Sequence, residues 1–389
     1  MTDLQESQIS DQEPKKPLAS RVMSIDALRG FDMFWIIGGW YIFEGLHKAL
    51  DNSTTAFIMK QLTHVEWEGF VFEDLIMPLF LFIVGVVMPF SFYKRLGRGD
   101  SKRKLYIHII IRSVILFVLG MIAQGELLEL DSTKLKIYCN TLQAIAAGYL
   151  ISAIIILNMR VRRQIITTVL LLLLFWALMM LVPFPGRLAD RLDQDANLAA
   201  YIDRVILRQF DDGLNYTWIL SSITFACTVM LGVMAGHLLR TQLDDYKKVY
   251  ILAALGIGTL VLGSLWGGWF FGIGQFYTGP FPIIKRLWTS SFVLFSAGLS
   301  YLLLALFYLV IDVWGFKKWA YGLVVIGTNA IFVYMLTHLV NFRSIAGRFV
   351  GGMDKFIGPW NDFLHAVAGF VLVWLILWWM YRKKSFINV

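Results

Sequence analysis

The chain has 389 residues, 58% apolar and only 16% charged, with a mean hydropathy of +0.64. No ordinary soluble domain of this length carries that composition, and apolar runs of about 20 residues, enough to cross a ~30 Å hydrocarbon core as helix, exclude a membrane β-barrel. The formal charge of +8 reads as membrane topology rather than a nucleic-acid surface, because the majority of the Lys and Arg fall in loops on one side of the apolar runs.

Residues 1–20 are polar and lack an apolar h-region, which predicts a short disordered tail rather than a cleaved signal peptide. Ten apolar runs follow, at about 24–46, 71–93, 105–124, 140–157, 164–182, 218–239, 248–267, 289–313, 319–341 and 359–381. The predicted fold class is therefore all-α, a polytopic transmembrane helix bundle. Ten spans put both termini on one side. That side collects Lys15, Lys16 and Arg21, the 94–104 cluster, "RVRR" at 160–163, Lys317 with Lys318, and "RKK" at 382–384, so it is read as cytoplasmic.

Charged residues inside spans are costly and mark candidate functional positions. The first span opens on "SIDALRGFD", where Asp26 and Arg29 share a helix face three residues apart and Asp32 lies one turn further in. This reads either as a structural ion pair or as an anion-facing Arg29 held by Asp26. The second span is entered through "HVEWEGFVFEDLIMPLFLFIVG", His64 to Gly85, which the topology places on the outer face. Glu66 and Glu68 stay hydrated there, whereas Asp74 is carried inward. Pro78, four residues later, removes a helical hydrogen bond and predicts a bend that frees the Asp74 carbonyl. His108 and Arg112 in the third span, and His237 in the sixth, read as side chains snorkelling to headgroups.

Cys139 and Cys227 suggest neither a disulfide framework nor a cysteine metal site. The longest outer loop, 183–217, is acidic and reads as a possible cap, and 267–288 is rich in Gly and aromatics, suiting a substrate-facing or interfacial surface equally. Near the outer ends of the last spans, His338 and His365, with Thr328, Asn329 and Thr337, offer a pocket with His64. No metal-ligand spacing accompanies these histidines, so no metal is expected. Asn52 and Asn215 head N-x-[ST] matches on the outer side.

The stretch "RVMSIDALRGFDMFW", followed by an ungapped H-x-x-W-x-G-x-x-x-x-D-x-x-x-P-x-F-x-F-x-x-G at His64, Trp67, Gly69, Asp74, Pro78, Phe80, Phe82 and Gly85, resembles the heparan-alpha-glucosaminide N-acetyltransferase family of transmembrane acyltransferases, in its bacterial branch. Further similar stretches are "NTLQAIAAGYL" (140–150), "LGVMAGHLL" (231–239), "IKRLWTSSFVL" (284–294) and "GTNAIFVYM" (327–335), so the resemblance covers nearly all of 21–389 and makes that range a transmembrane acyltransferase domain. It implies transfer of acetyl from cytosolic acetyl-CoA, as co-substrate, to the amine of a glucosamine-type acceptor across a membrane, a bacterial inner membrane being the expected location. The acceptor is an amino sugar or a glycosaminoglycan-derived one, with lipids as surroundings and a homodimer by analogy. His64 takes the family's catalytic position, with Asp74 beside it in the motif. Asp26, Arg29, Trp67, Gln143, Lys285, Trp288 and Asn329 fall in matching stretches as candidate substrate or CoA contacts. Two positions depart from the pattern: Trp40 stands where mammalian members carry an asparagine, and Ala144 where the family has an arginine.

The chemistry suits these residues. An amine attacks a thioester only when unprotonated, and imidazole, with an ordinary pKa near 6.5, is a natural base at neutral pH. His64 either takes that proton or accepts the acetyl group itself before passing it on. Asp74 lies about two and a half helical turns from His64, out of reach unless the segment between them folds back. On the basic side, Arg29 is the cation placed to meet CoA phosphates. A transporter or flippase of acylated or amino sugars is the competing reading, although no internal repeat of the kind many transporters carry is visible.

Overall fold

The computed structural model describes residues 22–185, 191–213, 216–270 and 274–387. The expected tail over 1–20, Asn215 and part of the 183–217 loop lie outside them. The described chain is an all-α bundle, 74% helical, and an integral multi-pass membrane protein. In chain order its helices are α1 (Met23–Phe34), α2 (Trp40–Leu50), α3 (Ser53–Gln61), α4 (Ile76–Gly97), α5 (Lys102–Ala123), α6 (Thr141–Asn158), α7 (Val161–Leu181), α8 (Leu198–Leu207), α9 (Ser222–Leu239), α10 (Asp245–Gly267), α11 (Ser290–Phe307), α12 (Tyr321–Gly327), α13 (Ala330–Leu339), α14 (Phe342–Val350), α15 (Asp354–Ile357) and α16 (Asn361–Arg382). Strands β1 (Trp269–Phe270) and β2 (Gly274–Gln275) pair antiparallel between α10 and α11.

Among the described residues, eight helical segments are long and apolar enough to cross a membrane, nine if α12 and α13, bent by 75° at Thr328–Asn329, form one broken span. The sequence suggested ten. The difference is the first run: α1 and α2 are joined by a π-helical turn over Trp35–Gly39 that is kinked at Gly38, and Asp26, Arg29, Asp32 and Glu44 leave the run less apolar than its neighbours. The 319–341 run differs too, since Asn329 interrupts what reads as one straight helix.

Helices solvated by lipid gain little from segregating apolar side chains, so close backbone approach at small residues holds them together. Gly85 of α4 packs on the Val229 backbone of α9, while Gly232 and Gly236 of α9 pack on the backbones of Phe82 and Val86. Gly30 of α1 meets Leu323, and Gly327 meets Asp26, which joins α12 to α1. The start of α1 is capped from a distance: the Asp312 carboxylate, just after α11, accepts hydrogen bonds from the backbone N–H of Met23 (3.3 Å) and Ser24 (3.0 Å).

At one end of the bundle the connecting segments interlock. The Gly69 N–H donates to the Ile283 carbonyl (2.9 Å) and the Thr217 N–H to that of Arg286 (3.0 Å). The Trp67 indole donates to the Leu192 carbonyl (3.0 Å). Asp203 on α8 accepts from the backbone N–H of Trp218 (2.7 Å) and Ile219 (3.0 Å), which ties the 191–213 segment to the entry of α9. Leu198 and Ala199 of α8 share a buried cluster with Phe281, Ile284 and Leu287, so the later part of the aromatic-rich 267–288 segment packs against α8, while Phe270, Phe276 and Tyr277 stay exposed.

Candidate active site

The site is built on a loop that doubles back. After α3 the chain leaves helix, pinned by the Trp40 indole, which donates to the Leu62 carbonyl (2.9 Å). Gly69 adopts φ +124°, a conformation closed to side-chain-bearing residues, and a 3-10 turn over Phe72–Leu75 leads into α4. His64 and Asp74 therefore meet across ten residues: His64 Nδ1 lies 2.8 Å from Asp74 Oδ1. Pro78 falls in the first turn of α4, where a missing N–H leaves no helical bond unmade, so the bend expected from it is absent.

Asp74 is 1% exposed at its side chain and fully engaged. Its Oδ1 also lies 3.2 Å from Lys285 Nζ, and its Oδ2 accepts from the Val71 N–H (3.2 Å). Lys285 itself is 7% exposed, with Nζ 3.2 Å from His64 Nδ1. A buried aspartate with a lysine beside it is best matched by a histidine that donates Nδ1–H to the carboxylate. That tautomer leaves the Nε2 lone pair free. The His64 side chain is 46% exposed, so the free nitrogen is accessible while its partners are not.

His64, Glu73, Lys285, Gln124, Tyr334 and His338 line a cavity of about 440 Å³. A second cavity, of about 360 Å³, is lined by Arg29, Arg95, His108 and Arg112 together with apolar side chains. The two lie end to end along the same helices. On α4, Met77 faces the first and Phe80, Val84 and Val87 the second; on α13, Tyr334 and His338 face the first and Ala330 and Ile331 the second; on α6, Thr141 faces the first and Leu142 and Ile145 the second. Behind the first cavity the buried Asn140 holds two of its lining residues, donating from Nδ2 to Gln124 Oε1 (2.6 Å) and to Tyr334 Oη (2.9 Å).

The other sequence-derived candidates divide. Arg29 lines the basic cavity, 3.5 Å from Asp26 and 3.4 Å from the Gly327 carbonyl. Trp67 is spent on Leu192, as above. Gln143 is fully buried and bonds both ways to the loop before α6, accepting from the Cys139 N–H (2.9 Å) and donating to the Ile137 carbonyl. Trp288, 1% exposed, donates its indole N–H to Thr228 Oγ1 (3.0 Å) in the core. Asn329 lies apart from His64, bonding Ser385 O (3.3 Å) and the Ile387 N–H (3.0 Å) at the other end of the chain. Of the two late histidines, His338 reaches the His64 cavity, whereas His365 pairs with Asp354 (2.9 Å). Arg95, Gln124 and Tyr334 were not singled out. Arg95 was visible only as one more basic loop residue. His108 and Arg112 face the basic cavity rather than lipid: His108 Nε2 is 3.1 Å from an Arg95 nitrogen, and Arg112 stacks over Tyr149 at 4.6 Å. Among the described residues, no group of three or more His, Cys, Asp or Glu is placed to hold a metal ion.

No protein-family model matches the chain. It is similar to heparan-alpha-glucosaminide N-acetyltransferase of Mus musculus, 25% identical over 447 residues, covering 96% of this chain and 61% of the mouse protein. The same enzyme of Homo sapiens is 25% identical over 385 residues, covering 82% of this chain and 53% of the human protein. The chain is thus a distant relative of that enzyme, and spans between about half and three fifths of the length of the curated relatives it matches.

Proposed function

We propose that this distant relative of the heparan-alpha-glucosaminide N-acetyltransferases is itself a membrane-embedded N-acetyltransferase, passing acetyl from acetyl-CoA to the amine of a glucosamine-type sugar. The observation that carries the reading is the pair of cavities set end to end along α4, α6 and α13: an arginine-lined one and one that presents His64. Three arginines and a histidine suit the phosphates of CoA. From Ser91 in the basic cavity to Met77 in the other, α4 rises about 21 Å, a span for a thin extended arm. On this reading the basic loops face the cytosol, both termini lie with them, and the acceptor enters from the opposite side.

In the direct route the amine nitrogen attacks the thioester carbonyl, forming the C–N bond. His64 Nε2 takes the ammonium proton, and the C–S bond breaks to release CoA thiolate, which is then protonated. Asp74 holds the imidazole in the competent tautomer and stabilises the imidazolium as it forms. Lys285, 3.2 Å from Asp74 Oδ1, gives that buried carboxylate its counter-charge. In the stepwise route the same Nε2 bonds the acetyl carbon as the C–S bond breaks and CoA thiolate leaves; the sugar amine then attacks the acetyl-imidazole, the C–Nε2 bond breaks, and the freed Nε2 takes the ammonium proton.

The test is acetyl-CoA with glucosamine as acceptor, followed by thiol release and N-acetylglucosamine formation on purified protein. Loss of both in His64→Ala is the expected result. Undiminished transfer in that variant would remove His64 from the chemistry, and no transfer to any amine by the unaltered chain would favour the transporter reading, which a two-cavity path also suits.

A further inference from the structure

A third cavity, of about 620 Å³, adjoins the His64 cavity and shares Ile36, Gly38, Tyr41 and His338 with it. The common wall is the π-helical turn Trp35–Gly39, in which Gly38 takes φ +138° with nothing but the edge of the Tyr41 ring near its missing Cβ. The polar lining of the side pocket includes Thr337, His338 and Asn341, of which His338 also lines the His64 cavity; Ile37 of the π turn and Phe370 and Val373 of α16 supply an apolar wall, the last two on a membrane-spanning segment.

After α13, the helices α14 and α15 are each too short to cross a membrane. On them Phe349 is 78% exposed and Phe356 86%, and Leu339, in the pocket lining at the end of α13, is 56% exposed. Apolar side chains so exposed, on short helices flanking a spanning helix, fit burial in the headgroup and acyl boundary of a bilayer. The one cation in the lining, Arg343, is already engaged: its Nη2 lies 2.6 Å from Asp362 and its Nη1 3.9 Å from Glu44, and Lys48 bridges the same two carboxylates at 2.9 Å each. Two cations and two carboxylates leave no net positive charge for a phosphate.

From this we infer that the acceptor is an amphiphile held in the bilayer, a glucosamine-type head joined to an alkyl or prenyl chain through an uncharged link. Its amine reaches His64 while its chain lies in the side pocket against α16. The inference rests on the transferase reading but is tested apart from it. Two buried methylenes are enough to lower KM roughly ten-fold.

The experiment uses the full chain in lipid nanodiscs, with glucosamine, dodecyl β-glucosaminide and dodecyl phospho-glucosamine as acceptors. The expected KM for the dodecyl glycoside is at least roughly ten-fold below that for glucosamine and below that of the phosphate-linked lipid. Val340→Trp, at a residue lining only the side pocket, abolishes the advantage and leaves turnover of glucosamine unchanged. Leu339→Ser, in the pocket lining and 56% exposed, weakens the same advantage without loading the core. Equal KM values for free and alkylated sugar, a preference for the phosphate-linked lipid, or an alkyl advantage that survives Val340→Trp would each overturn the inference. Binding of the product analogue dodecyl N-acetylglucosaminide, read as a thermal shift without acetyl-CoA, reports on the pocket even if no acetyl is ever transferred. A shift that Val340→Trp removes supports the pocket, and no shift overturns it.

Discussion

Asp74→Asn removes one negative charge and almost no volume from a carboxylate that is 1% exposed and serves three donors. Two separate losses follow. His64 and Lys285 share Oδ1 while the Val71 N–H takes Oδ2, so an amide oxygen turned to the Oδ1 place sets its NH2 against the Val71 N–H, and one turned to the Oδ2 place sets its NH2 against His64 and Lys285. Either way the imidazole loses its charged partner, and removal of a buried orienting aspartate of this kind lowers kcat by about 10⁴. The Lys285 ammonium, 7% exposed, also loses its nearest counter-charge, and breaking one side of a buried ion pair costs about 3–5 kcal/mol. The two effects separate in the double variant Asp74→Asn/Lys285→Met, where no buried cation remains. Thermal unfolding in detergent should return toward that of the unaltered protein, while kcat stays at the level of the single variant. Stopped thiol release with glucosamine gives kcat, and tryptophan fluorescence gives the unfolding midpoint. An Asp74→Asn enzyme with kcat within about three-fold of the unaltered chain, beside an inactive His64→Ala, would refute the claim that Asp74 sets the histidine's state.

Arg112→Ala removes a cation from the basic cavity and its stacking on Tyr149; KM for acetyl-CoA should rise about ten-fold with KM for the acceptor unchanged, read from initial rates at saturating second substrate. Burial pushes the Asp203 carboxyl up to about 7 from its ordinary 3.8, against the pull of its two backbone donors. Its folded-state pKa lies above the unfolded one, so its contribution is fully present below about pH 4 and is lost as pH rises through about 7. Proteolytic protection of the 191–213 segment should fall between about pH 4 and 7 by an amount that Asp203→Asn removes, with limited proteolysis as the measure. Gly85→Val would drive a side chain into the Val229 backbone; separation of α4 from α9 should cost about 3 kcal/mol or more, seen as loss of a folded peak on size-exclusion chromatography.

Local pattern was enough for most of the spanning helices and for the candidate histidine: apolar runs, basic loops and the motif from His64 to Gly85 are all contiguous. The geometry around His64 was not contiguous. His64 and Asp74 stand apart on any helix drawn through 64–85, and only the turn at Gly69, the 3-10 turn at 72–75 and the tie to Ile283 bring them together. Lys285 came from a matching stretch 200 residues away, with nothing local to say that it would face Asp74. Trp67, Gln143, Trp288 and Asn329 share a different lesson. Each carries a polar atom suited to a substrate, yet each spends it on a carbonyl, an N–H or a hydroxyl of the protein, because a buried donor or acceptor in a membrane bundle must find a partner within the chain. The basic cavity was hidden for a related reason: Arg29, Arg95 and Arg112 come from three helices, and only their packing turns topology signals into a common wall.

The tie between Asn329 and the Ser385–Ile387 backbone has a practical side for anyone handling the protein. Ile387 is part of the lining of the arginine cavity, and Asn329 sits at the hinge where α12 turns into α13. A purification handle or fluorescent reporter fused downstream of Ile387 hangs its weight on both at once. Preparations labelled there are expected to report weakened nucleotide capture that belongs to the label, and an insertion in the exposed 98–101 turn between α4 and α5 offers a site that leaves this anchor alone.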